Sequence, residues 1–142
     1  MHYKAFAEYK ILIDDIMLNI DVYNPMLFNE LKPDKRAIFD AYLKRFSSLQ
    51  DFLGSKIFPM LLDIAGIVNS SMSEVLYHIE KEGIIDSIDK YIKLREIRDQ
   101  LEHDYPKNLQ EALDDLKFCI DNFYTIKNYY FNSINFANKY IK

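Results

Sequence analysis

Only three glycines and four prolines interrupt a chain of 142 residues. So few breakers leave room for few turns, which favours long helices over a many-stranded sheet. The apolar spacing agrees. Phe6, Tyr9, Ile13, Ile16, Met17 and Ile20 recur at intervals of three and four, as one face of a helix from about Tyr3 to Ile20 requires. A second such pattern begins after Asp34, a candidate N-cap, and carries Ile38, Tyr42, Phe46, Leu49, Leu53, Ile57, Met60 and Leu61. Asn24-Pro25 and Lys32-Pro33-Asp34 bracket a loop between the two. Pro59 removes one backbone donor and predicts a bend, although the apolar period continues to Ile64.

Further on, Ser70 to Ser73 supply cap chemistry for a short third helix closed by Gly83. A fourth helix is expected from about Asp86 to Asp104, and a fifth from near Pro106 to about Lys139. Leu109, Leu113, Leu116, Ile120, Phe123, Tyr130, Ile134, Ala137 and Ile141 form the stripe expected to face the core. Phe118, Ile126, Tyr129, Phe131, Phe136 and Tyr140 fall outside it, an aromatic surplus open to two readings, a second core contact or a partner interface. The expectation is one all-α domain over residues 1–142, an up-and-down antiparallel bundle of four to five helices.

Composition excludes several functions. A formal net charge of −4 argues against a protein that coats nucleic acid non-specifically, since such binding neutralises many phosphates. One cysteine, Cys119, permits no intramolecular disulfide and reads as an inert core residue in a reducing cytoplasm. Lys4, Glu8, Lys10, Asp14 and Asp15 break the opening apolar segment, so neither a secretory leader nor a membrane span is expected. No glycine-rich phosphate loop is present. His78, with Glu74 and Glu82 four residues to either side, reads as a solvated charged face. The absence of a Glu-x-x-His pair argues against a ferritin-like metal bundle, and no metal or other cofactor is expected.

The chemistry concentrates in Arg98-Asp99-Gln100-Leu101-Glu102-His103-Asp104-Tyr105, which spells R-x4-H-x-Y just before Pro106. Arginine holds an anion and histidine moves protons, so the pair suits phosphate chemistry. On a helical wheel Arg98 falls inside the apolar arc, between Tyr91 and Leu94, and a cation there needs a partner. One reading is an internal Arg98–Glu102 pair with Arg95 at the rim; the other is a cleft in which Arg98 awaits an anionic ligand. Arg98 and His103 stand about 140° apart on an ideal helix. Unwinding of the last turn ahead of Pro106, or a twofold dimer, would bring them together. The helix C-terminus, with Glu102 and Asp104 alongside, is expected to raise the pKa of His103.

The segment Leu94 to Pro106 resembles the signature of HEPN-superfamily proteins, specifically the HepT-like toxins. Phe46-Ser47-Ser48-Leu49-Gln50-Asp51-Phe52-Leu53-Gly54, running into Phe58-Pro59-Met60-Leu61-Leu62, resembles that family's long second helix. The likeness covers most of the chain from about Asp34 onward. It implies a homodimeric bundle with one composite cleft, and a metal-independent endoribonuclease whose catalytic pair is Arg98 and His103. Asp99 stands where the family often has asparagine, and together with Glu102 would support the site. Tyr105 matches a tyrosine that a partner nucleotidyltransferase of the minimal MNT type modifies with AMP, the partner acting as antitoxin. The alternative is a non-catalytic substrate-binding or scaffold subunit of that nucleotidyltransferase.

Overall fold

The computed structural model describes residues 2–104 and 108–141, the side chains of His103 and Asp104 excepted. Every regular element among them is helical: α1 His2–Met17, α2 Pro25–Glu30, α3 Pro33–Phe52, a π-helical turn at Leu53–Ile57, α4 Phe58–Ile64, α5 Met72–Lys81, α6 Ile88–Asp104, α7 Leu109–Asp121 and α8 Phe123–Asn138.

Local chemistry explains most boundaries. The Asn24 side chain accepts from the backbone N–H groups of Met26 and Leu27, and Pro25 occupies the first turn. The expected loop after Asn24 is therefore a short helix. Asp34 is not the cap of α3. Pro33 already lies inside the helix and Asp34 in its first turn, where a carboxylate complements the helix dipole. Ser71 caps α5 by accepting from the Glu74 N–H, while the Glu74 carboxylate accepts from the Ser70 N–H. Gly83, at φ 77°, ends it, and Ile84 N–H reaches back to the Ile79 carbonyl.

Two expected helices divide. The second passes from α3 into α4 through the π turn, one element before Pro59 enters the first turn of α4. A π turn widens the helix by one residue and releases the carbonyl that a proline cannot bond. The fifth breaks at Asn122, whose Nδ2 donates to the Phe118 carbonyl while its Oδ1 accepts from Thr125 Oγ1. The break rotates everything beyond it. The buried face of α8 is Phe123, Ile126, Tyr129, Ser133 and Phe136, whereas Tyr130 and Ala137 are half-buried and Ile134 and Ile141 exposed. Ile126, Tyr129 and Phe136 thus belong to the core, and Phe131 and Tyr140 remain exposed.

Packing is antiparallel around α3. The His2 ring lies 4.7 Å from Phe52 at the end of α3, while Phe6 meets Tyr42 and Phe46 further back. Phe6, fully buried, also contacts Phe123 of α8. Each such ring removed from water contributes about 1.5–3 kcal/mol, so this cluster anchors α1, α3 and α8 together. α6 runs the opposite way along α3, with Tyr91 beside Gln50 and Glu102 beside Ser47. The Tyr42 hydroxyl donates to the Cys119 carbonyl and ties α3 to α7. No described helix is long and apolar enough to cross a membrane.

Candidate functional site

The buried side of α6 consists of Tyr91, Leu94, Arg98 and Leu101, so the cation sits in the apolar arc as its spacing requires. Its partner is not Glu102. Arg98 reaches across the seam to α3, where Nη1 donates to the Ser47 carbonyl at 2.8 Å and Nη2 to Asp51 Oδ1 at 2.6 Å. Nε lies 3.3 Å from Asp99 Oδ1 but makes no hydrogen bond. Glu102 instead accepts a hydrogen bond from the Ser47 hydroxyl. Ser47 therefore meets two residues one helical turn apart on α6, through its carbonyl and its side chain. The pairing follows from reach: an exposed i,i+4 contact offers Arg98 little, whereas α3 presents an acceptor and a carboxylate at the guanidinium plane.

Burial is uneven within this group. The Arg98 side chain is 6% exposed and that of Asp51 62%. Gln50, fully buried beside Asp51, donates from Nε2 to the Tyr91 carbonyl and leaves Oε1 without a donor. Tyr91 packs against the π turn so closely that a β-carbon on Gly54 would lie 2.2 Å from its hydroxyl. Burial raises the pKa of that hydroxyl, against the opposing pull of Arg95 and Arg98. A shallow cleft next to the seam is lined by Asp40, Leu43, Lys44, Leu101 and Glu102. Burial raises the Asp40 carboxyl above its ordinary range.

No protein-family model, curated protein or solved structure matches the chain.

The structure thus brings together Arg98, Asp99 and Glu102 with Ser47 and Asp51, which reasoning from the sequence missed. The signal available was the polar set Ser47, Gln50 and Asp51 recurring at three and four inside an apolar helix. His103 belongs to the last turn of α6, and the helix continues through Asp104. The expected unwinding does not reach it, because the restraint that Pro106 imposes falls on the residue before it, Tyr105. The backbone positions of Arg98 and His103 accordingly remain about 140° apart within one protomer. The His103 side chain, its expected pKa shift, and Tyr105 lie outside the described residues.

Elsewhere, Cys119 is fully buried and its thiol is pushed up to about 12 by burial and by Asp115. Glu74 near His78 is committed to the α5 cap. Among the described residues no group of three or more His, Cys, Asp or Glu side chains is arranged to hold a metal ion.

Proposed function

We propose that this chain is a HEPN-type endoribonuclease of the HepT-like branch. It acts in the cytoplasm as a homodimer, cleaves RNA without a metal, and is neutralised when an MNT-type nucleotidyltransferase places AMP on Tyr105. The observation that carries the reading is the state of Arg98: a nearly buried guanidinium, held at a helix seam by one carbonyl and one exposed carboxylate. An arginine fixed in this way keeps its orientation before substrate arrives, which is what stabilising a phosphorane demands.

Cleavage by the RNA's own 2′-hydroxyl needs a base, an acid and a cation. A base removes the 2′-proton, the 2′-oxygen bonds to phosphorus, and the 5′-oxygen leaves with a proton. The products are a 2′,3′-cyclic phosphate and a 5′-hydroxyl. Arg98 would meet the charge on the phosphorane and His103 would supply the proton. Because α6 stays helical through Asp104, one protomer presents the two on different faces. A twofold pairing of α6 helices completes the set by supplying two His103 imidazoles, one to take the 2′-proton and one to give the 5′-oxygen its proton. AMP on Tyr105 adds charge and bulk two residues from His103 and repels the RNA backbone.

A second reading is favoured by one specific contact: the Arg98–Asp51 pair joins α3 to α6 as a structural clamp does. In that reading the bundle is the non-catalytic substrate-binding or scaffold subunit of the nucleotidyltransferase. Expression without neighbouring genes separates the two. The nuclease reading expects growth arrest with the wild-type chain and none with His103→Ala. Co-expression with the adjacent nucleotidyltransferase should add one AMP to the wild-type chain and none to Tyr105→Phe. Equal growth with both chains supports the scaffold.

A further inference from the structure

We infer that Arg98 marks an anion seat that the protein fills with its own Asp51 carboxylate, and that the incoming anion is a phosphodiester. Asp51 is the partner of the guanidinium that faces solvent, with its side chain 62% exposed against 6% for Arg98. From the protein side the Ser47 carbonyl holds Nη1, so the orientation of the fork does not depend on the carboxylate. Asp51 engages through one oxygen at Nη2, and the buried Nε, 3.3 Å from Asp99 Oδ1, makes no hydrogen bond. The planar fork is therefore only partly used, although arginine binds best through two parallel hydrogen bonds.

A phosphodiester carries the same single negative charge as the carboxylate and two non-bridging oxygens. It replaces Asp51 without changing the charge of the seat, and it can take two donors where Asp51 takes one. The displaced carboxylate, already 62% exposed, moves into water, and the phosphodiester takes its place as counter-charge to the buried guanidinium. Asp51 thus covers Arg98 until substrate arrives, while the Ser47 carbonyl keeps the guanidinium oriented. This rests on the ribonuclease reading only for the identity of the phosphodiester as RNA.

The test compares the intact wild-type chain with Asp51→Asn, which keeps an acceptor at Oδ1 and removes the charge. Each is titrated with inorganic phosphate and with a short oligodeoxynucleotide lacking terminal phosphates, which offers diesters but no 2′-hydroxyl to react. Chloride at matched ionic strength is the control for screening. The side-chain N–H signals of Arg98 report binding. Asp51→Asn is expected to bind both probes about tenfold more tightly than wild type, the equivalent of about 1.4 kcal/mol. Arg98→Gln in the Asp51→Asn background should erase the gain.

Equal affinities, or a gain that survives Arg98→Gln, overturn the inference; a gain for phosphate alone overturns the assignment to a diester. Should Asp51→Asn melt too early for titration, phosphate must raise its melting temperature more than that of wild type. An equal rise counts against the seat. A chain that shows the gain yet cleaves no RNA removes the nuclease reading and leaves the seat standing; cleavage without the gain does the reverse.

Discussion

Nη2 of Arg98 lies 2.6 Å from Oδ1 of Asp51, in a pair whose cation is buried and whose anion faces water. The two ends of such a contact do not cost the same to remove. Asp51→Ala leaves a nearly buried guanidinium with the Ser47 carbonyl as its one hydrogen-bond acceptor and the Asp99 carboxylate 3.3 Å from Nε, and should destabilise the fold by about 2–3 kcal/mol. Arg98→Met removes the charge, fills similar space and leaves Asp51 hydrated, at a cost of about 1 kcal/mol. Urea unfolding of the two variants measures the difference. The reverse order would mean that the α3–α6 seam does not desolvate the cation.

Gly54 of the π turn and Tyr91 of α6 make a second seam. A β-carbon at Gly54 would sit 2.2 Å from the Tyr91 hydroxyl but 3.5 Å from its ring carbon Cζ. Gly54→Ala is therefore expected to lose about 1–3 kcal/mol through overpacking. In Tyr91→Phe the clash is gone, so the double variant should recover most of that loss. A thermal-melt double-mutant cycle reads the coupling, and additive costs would place the strain elsewhere.

Asp86 links the loop before α6 to α8 by accepting from the Tyr129 hydroxyl at 2.6 Å. Burial pushes its pKa up, but the Tyr129 hydrogen bond and the Lys90 charge outweigh this and lower it below 3.8. A lowered folded-state pKa means that the unfolded chain takes up the proton first. The stabilisation is then present above about pH 4 and fades as the pH falls through the folded-state value. Asp86→Asn should accordingly be less stable than wild type at pH 7, with the gap closing under acid. A gap that is constant with pH would show that the charge plays no part.

Cys119 packs on the buried face of α7, and its thiol is raised to about 12. At pH 8 almost none of it is thiolate, and the thiolate is the reactive form. A disulfide reagent such as dithionitrobenzoate should leave the native chain unlabelled and modify one thiol per chain in denaturant. Rapid labelling of the native chain would contradict the packing of α3 against α7.

What the sequence discloses and what it hides differ in range. The start of α5 at Ser71 and its stop at Gly83 depend on groups within five residues of each other, and are legible for that reason. The place of Arg98 inside the apolar arc is also local, since helical spacing decides it. Its partner is not: Asp51 lies 47 residues away on another helix, and nothing in the spacing of α6 selects it over Glu102. The break at Asn122 was hidden because asparagine interrupts a stripe no more visibly than Lys127 does, yet its side chain bonds the backbone and turns the face of α8. The proposed dimer is a matter of surfaces rather than periodicity, and the role proposed for His103 depends on it.

The proposed ribonuclease activity requires Arg98 and His103 to act together on RNA. The most direct measurement is incubation of the purified chain with single-stranded RNA in excess EDTA, beside His103→Ala with an unchanged thermal melt. Cleavage by the wild-type chain alone, leaving 2′,3′-cyclic phosphate ends, is the predicted result. Intact RNA with both proteins, or equal cleavage by both, would contradict it.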